Sequence, residues 1–149
     1  MFRQTLSLDD VLLEPQFSSI NSRSEIDISS EFSLDLTLEL PIISSPMDTV
    51  TGPVMAEEVF AAGGVGILHR YASIEEQVNW VNYCKHKGCV VGAAVGVSGD
   101  FLERAQAVYG AGAKILCIDV AHGHHQKVKK AIEAIRKNLG KEPHIMAGN

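Results

Sequence analysis

Residues 113–125, AKILCIDVAHGHH, decide the fold, because a short apolar run ends there in an aspartate and is followed by polar and glycine residues. The same order recurs along the chain, in apolar runs at residues 41–47, 65–70, 90–96, 113–120 and 144–149. Amphipathic segments with helical spacing separate these runs, and this alternation predicts parallel strands joined by helices. The expected fold class is α/β, a partial TIM (β/α)8 barrel with about five parallel strands and four helices.

The helical segments carry their own start and stop signals. Ser73 and Glu76 have the spacing of a capping box, and Asp100 and Glu103 repeat it. A further helix is predicted by the apolar stripe of Val128, Ala131, Ile132, Ile135 and Leu139, which Gly140 ends. Before the first run, EFSLDLTLEL at 31–40 alternates apolar and polar residues, which indicates a hairpin covering one end of the barrel. Because five strands cannot close a barrel, we expect open sheet edges at both ends and partly exposed apolar side chains on the barrel face.

Composition narrows the classes of function. The chain has 149 residues, a length that predicts a single domain spanning 1–149. A net charge of −5 with mixed signs argues against a nucleic-acid partner, and no apolar run approaches the roughly 18 residues that span a bilayer. The N-terminus lacks an apolar signal region, and the three cysteines have no CxxC spacing. We therefore expect a cytoplasmic protein with reduced thiols, and no metal site built from cysteines.

Two of the loops that follow strands carry candidate binding residues. The hydroxyl and thioether of Ser45 and Met47 could line a pocket for a flat heterocycle, or the loop could be a capped turn in which Asp48 or Thr49 is the N-cap of a helix that starts near Pro53. His69 and Arg70 present donors that could bind a phosphate or nucleotide, or they could form an exposed pair. Spacing alone leaves these alternatives open.

The loop after residue 118 has the richest chemistry. Asp119 stands at a strand end, where a carboxylate can accept hydrogen bonds from ribose hydroxyls. Three histidines, at 122, 124 and 125, raise the alternative of a metal site, but their spacing through Gly123 does not bring them to one helix face. We favour the ribose interpretation and expect no bound metal. Asn149, at the end of the fifth run, offers both a donor and an acceptor.

At these same positions the sequence resembles the IMP dehydrogenase / GMP reductase family. The similarity covers essentially the whole chain and rests on motifs in the family's order: LSLDDVLLEPQ, SSPMDTVT, GGVGILHRYASIEEQ, VGAAVGV, IDVAHGH and IMAGN. The resemblance implies a β/α barrel, a homotetramer, and hydride transfer between a purine nucleotide (IMP, XMP or GMP) and NAD or NADP.

The resemblance also implies roles for individual residues. Substrate contacts fall on Ser45 and Met47. The implied cofactor contacts are Asp119, Val120, Ala121, Asn149, Arg70, Ser22 and Arg23. Among these, Ser22 and Arg23 match a reductase segment that reaches the cofactor of a neighbouring subunit.

The family's nucleophilic cysteine has no counterpart among the cysteines of this chain, so we assign no catalytic residue. Its loop and the potassium site of the dehydrogenases would lie beyond Asn149, and we expect this polypeptide to be truncated before them and inactive alone. The regulatory CBS domains that many dehydrogenases insert are also missing, since only residues 85–89 lie at the corresponding place.

The motifs are divided between the two branches of the family. SSPMDTVT, VGAAVGV and HGH resemble the dehydrogenase, whereas NSRSE, CIDVA and IMAGN resemble the reductase. We favour IMP dehydrogenase, which oxidises IMP to XMP with NAD. The alternatives are GMP reductase, which converts GMP to IMP and ammonia with NADPH, and a non-catalytic remnant or assembly partner. A complementing polypeptide that supplies the remaining strands is a further possible partner.

Overall fold

A computed structural model describes residues 4–148, which contain a two-stranded antiparallel hairpin followed by a five-stranded parallel sheet. The hairpin consists of β1 (Ser30–Ser33) and β2 (Leu36–Leu38). The strands of the sheet are β3 (Ile43–Ser44), β4 (Val65–Leu68), β5 (Val91–Val95), β6 (Ile115–Asp119) and β7 (His144–Gly148). The helices are α1 (Pro53–Ala61), α2 (Ile74–His86), α3 (Phe101–Ala111) and α4 (Gln126–Leu139).

The five strands lie in sequence order and curl into half of a barrel, which confirms the predicted partial β/α barrel. Each strand pairs in parallel with the next, so β3 and β7 are the outer strands of the sheet. Among the described residues, neither outer strand has a second neighbour. The predicted open edges are therefore present.

One face of the sheet carries all four helices. Alternate strand residues point to this face, and they form a buried core with small apolar residues of the helices. The strand residues of this core are Leu68, Val91, Ala93, Val95, Leu116 and Ile118. On α4 the predicted stripe is realised, with Val128, Ala131 and Ile135 buried and Gly140 ending the helix at a φ of 75°.

The other face of the sheet is the barrel interior, and the hairpin covers its amino end. Leu38 is buried there, and Phe32 and Leu36 pack around the strand residues of this face. Those strand residues are Val65, Ile67, Ala94, Ile115, Cys117 and Met146. The first four of them are fully buried, so the expectation of partly exposed interior side chains was wrong for them. The predicted hairpin supplies the cover for these side chains.

The helix starts follow the sequence signals in part. At α2, Ser73 accepts from the Glu76 amide at 3.1 Å, and Glu76 accepts from the Ser73 amide at 3.1 Å, so the capping box is confirmed. At α3 the predicted box is wrong, because Asp100 makes no capping hydrogen bond. Its carboxylate binds Arg104 instead, at 2.6 Å. A guanidinium offers this carboxylate a stronger partner than a backbone amide does.

Candidate functional site

The loop after β3 forms one wall of the site and is held by a buried threonine. Thr51 is fully buried, and its hydroxyl donates to the Ser45 carbonyl at 2.5 Å. The Met47 amide donates to the same carbonyl, at 2.8 Å, which closes a tight turn. Gly52 and Pro53 then begin α1, so neither Asp48 nor Thr49 caps the helix. The loop leaves the Met47 side chain half exposed.

A cavity of about 470 Å³ opens beside this loop at the carboxyl ends of the strands. Its lining residues are Ser45, Pro46, Met47, Asp48, Tyr71, Cys117, Ile118, Asp119 and Gly148. The thioether of Met47 and the ring of Tyr71 are apolar surfaces of the kind on which a flat heterocycle stacks. We call this the loop-side cavity. It brings together two sequence-predicted residues of the first loop, Ser45 and Met47, with Asp119 of β6.

Arg70 and Asp119 form an ion pair across neighbouring parts of the rim. Arg70 Nε lies 3.4 Å from Asp119 Oδ2, and both side chains are partly exposed, at 32% and 26%. The angles do not satisfy a hydrogen bond, so the buried Nε atom of Arg70 has no hydrogen-bond partner in the protein. The guanidinium carbon lies 5.1 Å from the centroid of the Tyr71 ring, within the range of a cation–π contact. Asp119 and Tyr71 therefore hold the Arg70 side chain in place, but its Nε–H group has no acceptor in the described part of the protein.

A second cavity, of about 280 Å³, lies on the other side of Arg70. Its lining residues are Arg70, Gly96, Val97, Ser98, Asp100, Arg104, Val120 and Ala121. The Val120 amide donates to the Gly148 carbonyl at 3.2 Å, which extends the pairing of β6 and β7 into the rim. We call this the α3-side cavity. It has two arginines in its wall and contains the predicted residues Arg70, Val120 and Ala121.

Two of the remaining predicted residues, Ser22 and Arg23, are not brought to either cavity. Ser22 caps a short 3-10 turn at Arg23–Glu25, where its side chain accepts from the Ser24 amide at 3.3 Å. Both Ser22 and Arg23 are exposed, and neither lines a cavity. Asn149 lies outside the described residues. The roles implied for these three residues stay predictions.

The loop at residues 122–125, which contains three histidines, lies beside the α3-side cavity. The rings of His122 and His125 are edge to face, with centroids 6.2 Å apart. His125 caps α4 by accepting the Lys127 amide proton at its Nδ1, at 3.0 Å. Within residues 4–148, no group of three histidine, cysteine, aspartate or glutamate side chains converges as metal ligands would.

The cysteines are free thiols. Cys84 and Cys117 are buried, and burial raises the pKa of each to about 11. For Cys117 the charge of Asp119 adds to the effect of burial. Its position in the wall of the loop-side cavity was missed at the sequence level. A thiol with this pKa stays protonated near neutral pH, so Cys117 is a poor nucleophile.

Sequence reasoning also missed three polar residues behind the rim, namely Thr51, Gln77 and Arg104. Gln77 is fully buried, and Arg104 is 7% exposed. Gln77 stands three residues after Ile74 and four before Val81, on the apolar stripe of α2. An amide on such a stripe is the signal that could have identified a buried polar network.

The fold and the site place the chain in the class of β/α-barrel proteins whose polar residues gather at the carboxyl ends of the strands. The family model of the IMP dehydrogenase / GMP reductase domain matches residues 5–149, and the chain belongs to this family. The family acts on purine nucleotides. No helix within residues 4–148 is both long enough and apolar enough to cross a membrane.

Individual relatives carry both names of the family. The inosine-5'-monophosphate dehydrogenase of Nitrosopumilus maritimus is 44% identical over 90 residues, which are 60% of this chain and 19% of that protein. That of Borreliella burgdorferi is 30% identical, over 99% of this chain and 48% of that protein. The GMP reductase of Streptococcus gordonii is 31% identical, over 98% of this chain and 44% of that protein. The chain thus spans less than half the length of each of these relatives.

Proposed function

We propose that this chain forms the nucleotide and cofactor walls of a purine-nucleotide oxidoreductase of the IMP dehydrogenase type, which oxidises IMP to XMP with NAD. The observation that supports this function best is the Arg70–Asp119 pair, which separates two cavities at the carboxyl edge of the sheet. A reaction between two ligands needs adjoining sites of this kind.

In this proposal the purine nucleotide occupies the loop-side cavity. Its base stacks against Met47 and Tyr71, and Ser45 supplies a hydroxyl for a polar edge of the ligand. The tight turn held by Thr51 fixes this wall before the ligand arrives. Preorganisation of this kind lowers the entropy that binding must overcome.

The chemistry of the other wall fits a dinucleotide. Asp119 keeps a partly exposed carboxylate that can accept from ribose hydroxyls, and the unpaired Nε of Arg70 can donate to a ligand oxygen. Asp119 faces the loop-side cavity, whereas Arg70, Val120 and Ala121 line the α3-side cavity, so the cofactor would reach Asp119 at the boundary between the two. When bound, the nicotinamide group supplies the hydride acceptor. The role of the chain is to orient the two ligands against each other.

We also propose that the 149-residue polypeptide alone gives no turnover. The family's covalent chemistry needs a thiolate, and Cys117, the cysteine that reaches the loop-side cavity, has a pKa of about 11. The proposal has three further parts. Asn149 is part of the pocket, and Ser22 and Arg23 contact the cofactor of a neighbouring subunit. The chain acts within a homotetramer or together with a complementing polypeptide.

GMP reductase is the second candidate, and the alignments favour it in one respect. The match to the Streptococcus gordonii GMP reductase extends over 146 positions, close to the 149 residues of this chain. The match to the Borreliella burgdorferi dehydrogenase needs 199 positions, so that relative has residues without a counterpart here. In this case GMP would occupy the loop-side cavity and NADPH the other wall.

A nuclear magnetic resonance titration tests these proposals, because backbone amide shifts detect weak binding and locate it. We expect IMP to shift amides of the 45–51 loop and NAD to shift amides at 119–121. Asp119→Asn should weaken NAD binding about 10- to 100-fold, the range for losing hydrogen bonds to a charged group. Asp35→Asn, the same change at the amino end of the barrel, is the control and should leave NAD binding unchanged.

Each outcome of the titration has a defined meaning. Tighter binding of GMP and NADPH than of IMP and NAD would select the reductase. If none of the four ligands shifts residues that line either cavity, the proposed function is wrong.

A further inference from the structure

Gln77 connects the carboxyl ends of two strands to α3 through its side-chain amide. Its Nε2 donates to the His69 carbonyl at 3.1 Å and to the Ala94 carbonyl at 2.9 Å. Its Oε1 accepts from Arg104 Nη1 at 3.1 Å. The residue comes from α2 and is fully buried. One side chain therefore links β4, β5, α2 and α3 directly behind the rim.

The network continues from Arg104 to the wall of the α3-side cavity. Arg104 donates to Asp100 Oδ2 from Nη2 at 2.6 Å and from Nε at 3.2 Å. Arg104 and Asp100 both line that cavity. At the other end, the His69 carbonyl that Gln77 holds belongs to the residue directly before Arg70. Gln77 thus fixes two separate parts of one cavity wall, the backbone at Arg70 and the guanidinium of Arg104.

The chemistry at position 77 is specific for a primary amide. Two carbonyl oxygens need donors, while the guanidinium needs an acceptor, and an amide provides both from one planar group. A glutamate would keep the acceptor but turn a second oxygen toward the carbonyls. A methionine would remove the bonds that Gln77 makes to all three partners, and buried polar groups are expensive to leave unsatisfied. The arrangement is therefore sensitive to changes that preserve the size of the side chain.

We propose that Gln77 is a positioning residue for the α3-side cavity, holding Arg70 and Arg104 where a dinucleotide cofactor contacts the wall. This inference rests on the proposed function, since it assigns that cavity to the cofactor. None of the residues that Gln77 bonds lies in the 45–51 loop, which forms the wall assigned to the purine nucleotide. The purine wall depends on Gln77 only at one remove, through His69, whose amide donates to the Thr51 carbonyl at 3.4 Å and whose Nδ1 accepts from the Tyr71 amide at 3.2 Å. Gln77 therefore affects cofactor binding more strongly than binding of the purine nucleotide.

The test compares Gln77→Glu, Gln77→Met and a control, Gln106→Met, which makes the same change at an exposed position of α3. Dissociation constants for NAD and for IMP are measured on the full chain by titration of amide shifts. Both Gln77 variants should raise the Kd for NAD about tenfold and the Kd for IMP by a clearly smaller factor. Gln106→Met should change neither constant.

A second measurement on the unchanged protein covers the case in which a Gln77 variant fails to fold. The side-chain amide resonances of Gln77 should shift on addition of NAD and stay in place on addition of IMP. Equal weakening of both ligands, an unaltered Kd for NAD, or side-chain resonances that ignore NAD would overturn the inference while leaving the proposed function intact. Failure of the unchanged protein to bind either ligand would instead refute the proposed function.

Discussion

Replacing Gly66 with alanine should destabilise the protein, because α1 packs on β4 at backbone distance. A Cβ atom built at Gly66 would lie 2.6 Å from both the Cα and the Cβ of Ala56. Ordinary contacts between carbon atoms are about 3.5–4.0 Å, so the helix would have to move away by roughly 1 Å. Ala56 is fully buried and belongs to the core that joins helices and sheet.

Overpacking of this kind destabilises folds by about 1–3 kcal/mol. For a domain of this length, each kcal/mol lowers the melting temperature by about 4 °C, so a decrease of about 4–12 °C is expected. The displaced α1 begins directly after the 45–51 loop, and so IMP binding should weaken more than NAD binding. Circular dichroism during heating and denaturant titration measure the first effect, and amide titrations measure the second.

Gly110→Ala is the matched control. Gly110 lies in α3, has no atom within 4 Å of an added Cβ, and does not have a positive φ. Alanine at a helical position is favoured over glycine by up to about 1 kcal/mol, so this variant should be slightly more stable than the wild type. A Gly66→Ala protein as stable as Gly110→Ala would refute the close packing of α1 on β4.

Two further predictions concern the thiols and the N-terminal segment. Burial raises the pKa of Cys84 and Cys117 from about 9 to about 11. Between these pH values the folded state keeps thiol protons that the unfolded chain releases, so the free energy of unfolding is at its full value below about pH 9 and falls as the pH rises to 11. A Cys84→Ala/Cys117→Ala variant should therefore lose less free energy of unfolding than the wild type over that range in denaturant titrations, and Cys89→Ala, at a partly exposed thiol, should behave nearly like the wild type. Three apolar side chains of the N-terminal segment, Leu12, Leu13 and Phe17, are at least 96% exposed. Replacing all three with serine should reduce self-association, measured by sedimentation velocity. An unchanged sedimentation profile would contradict a role for this segment in self-association.

The strands and helices could be predicted from the sequence because they depend on local patterns. The apolar run at 113–120 is β6, and the spacing of Val128, Ala131 and Ile135 is the buried stripe of α4. Both patterns arise from residues within one element that share a face. The parallel order then follows because a helix returns the chain to the same end of the sheet each time.

The site could be predicted only in part. Its strand-end residues Asp119 and Arg70 were identified because their positions follow directly from the strand pattern. The hydrogen-bond network of Gln77 and Arg104 was missed because it joins elements that are far apart in sequence. Gln77 and Arg104, for example, are separated by 27 positions. The same limit explains the error at Asp100, where a capping pattern was correct in spacing but the carboxylate had a better partner one turn further along.

The hairpin contacts the last strand of the sheet, β7, and this affects the order in which the protein can fold. The Phe32 ring meets the His144 ring edge to face, with centroids 6.2 Å apart, and Asp35 Oδ1 lies 3.4 Å from His144 Nε2. These contacts span more than a hundred residues, whereas each βα unit closes on its neighbour soon after it is synthesised. The hairpin therefore leaves the ribosome before the parallel strands but completes its packing only once β7 has emerged. Until then the interior faces of β4 to β6 lack part of their cover, and a nascent chain is most exposed to aggregation during that interval.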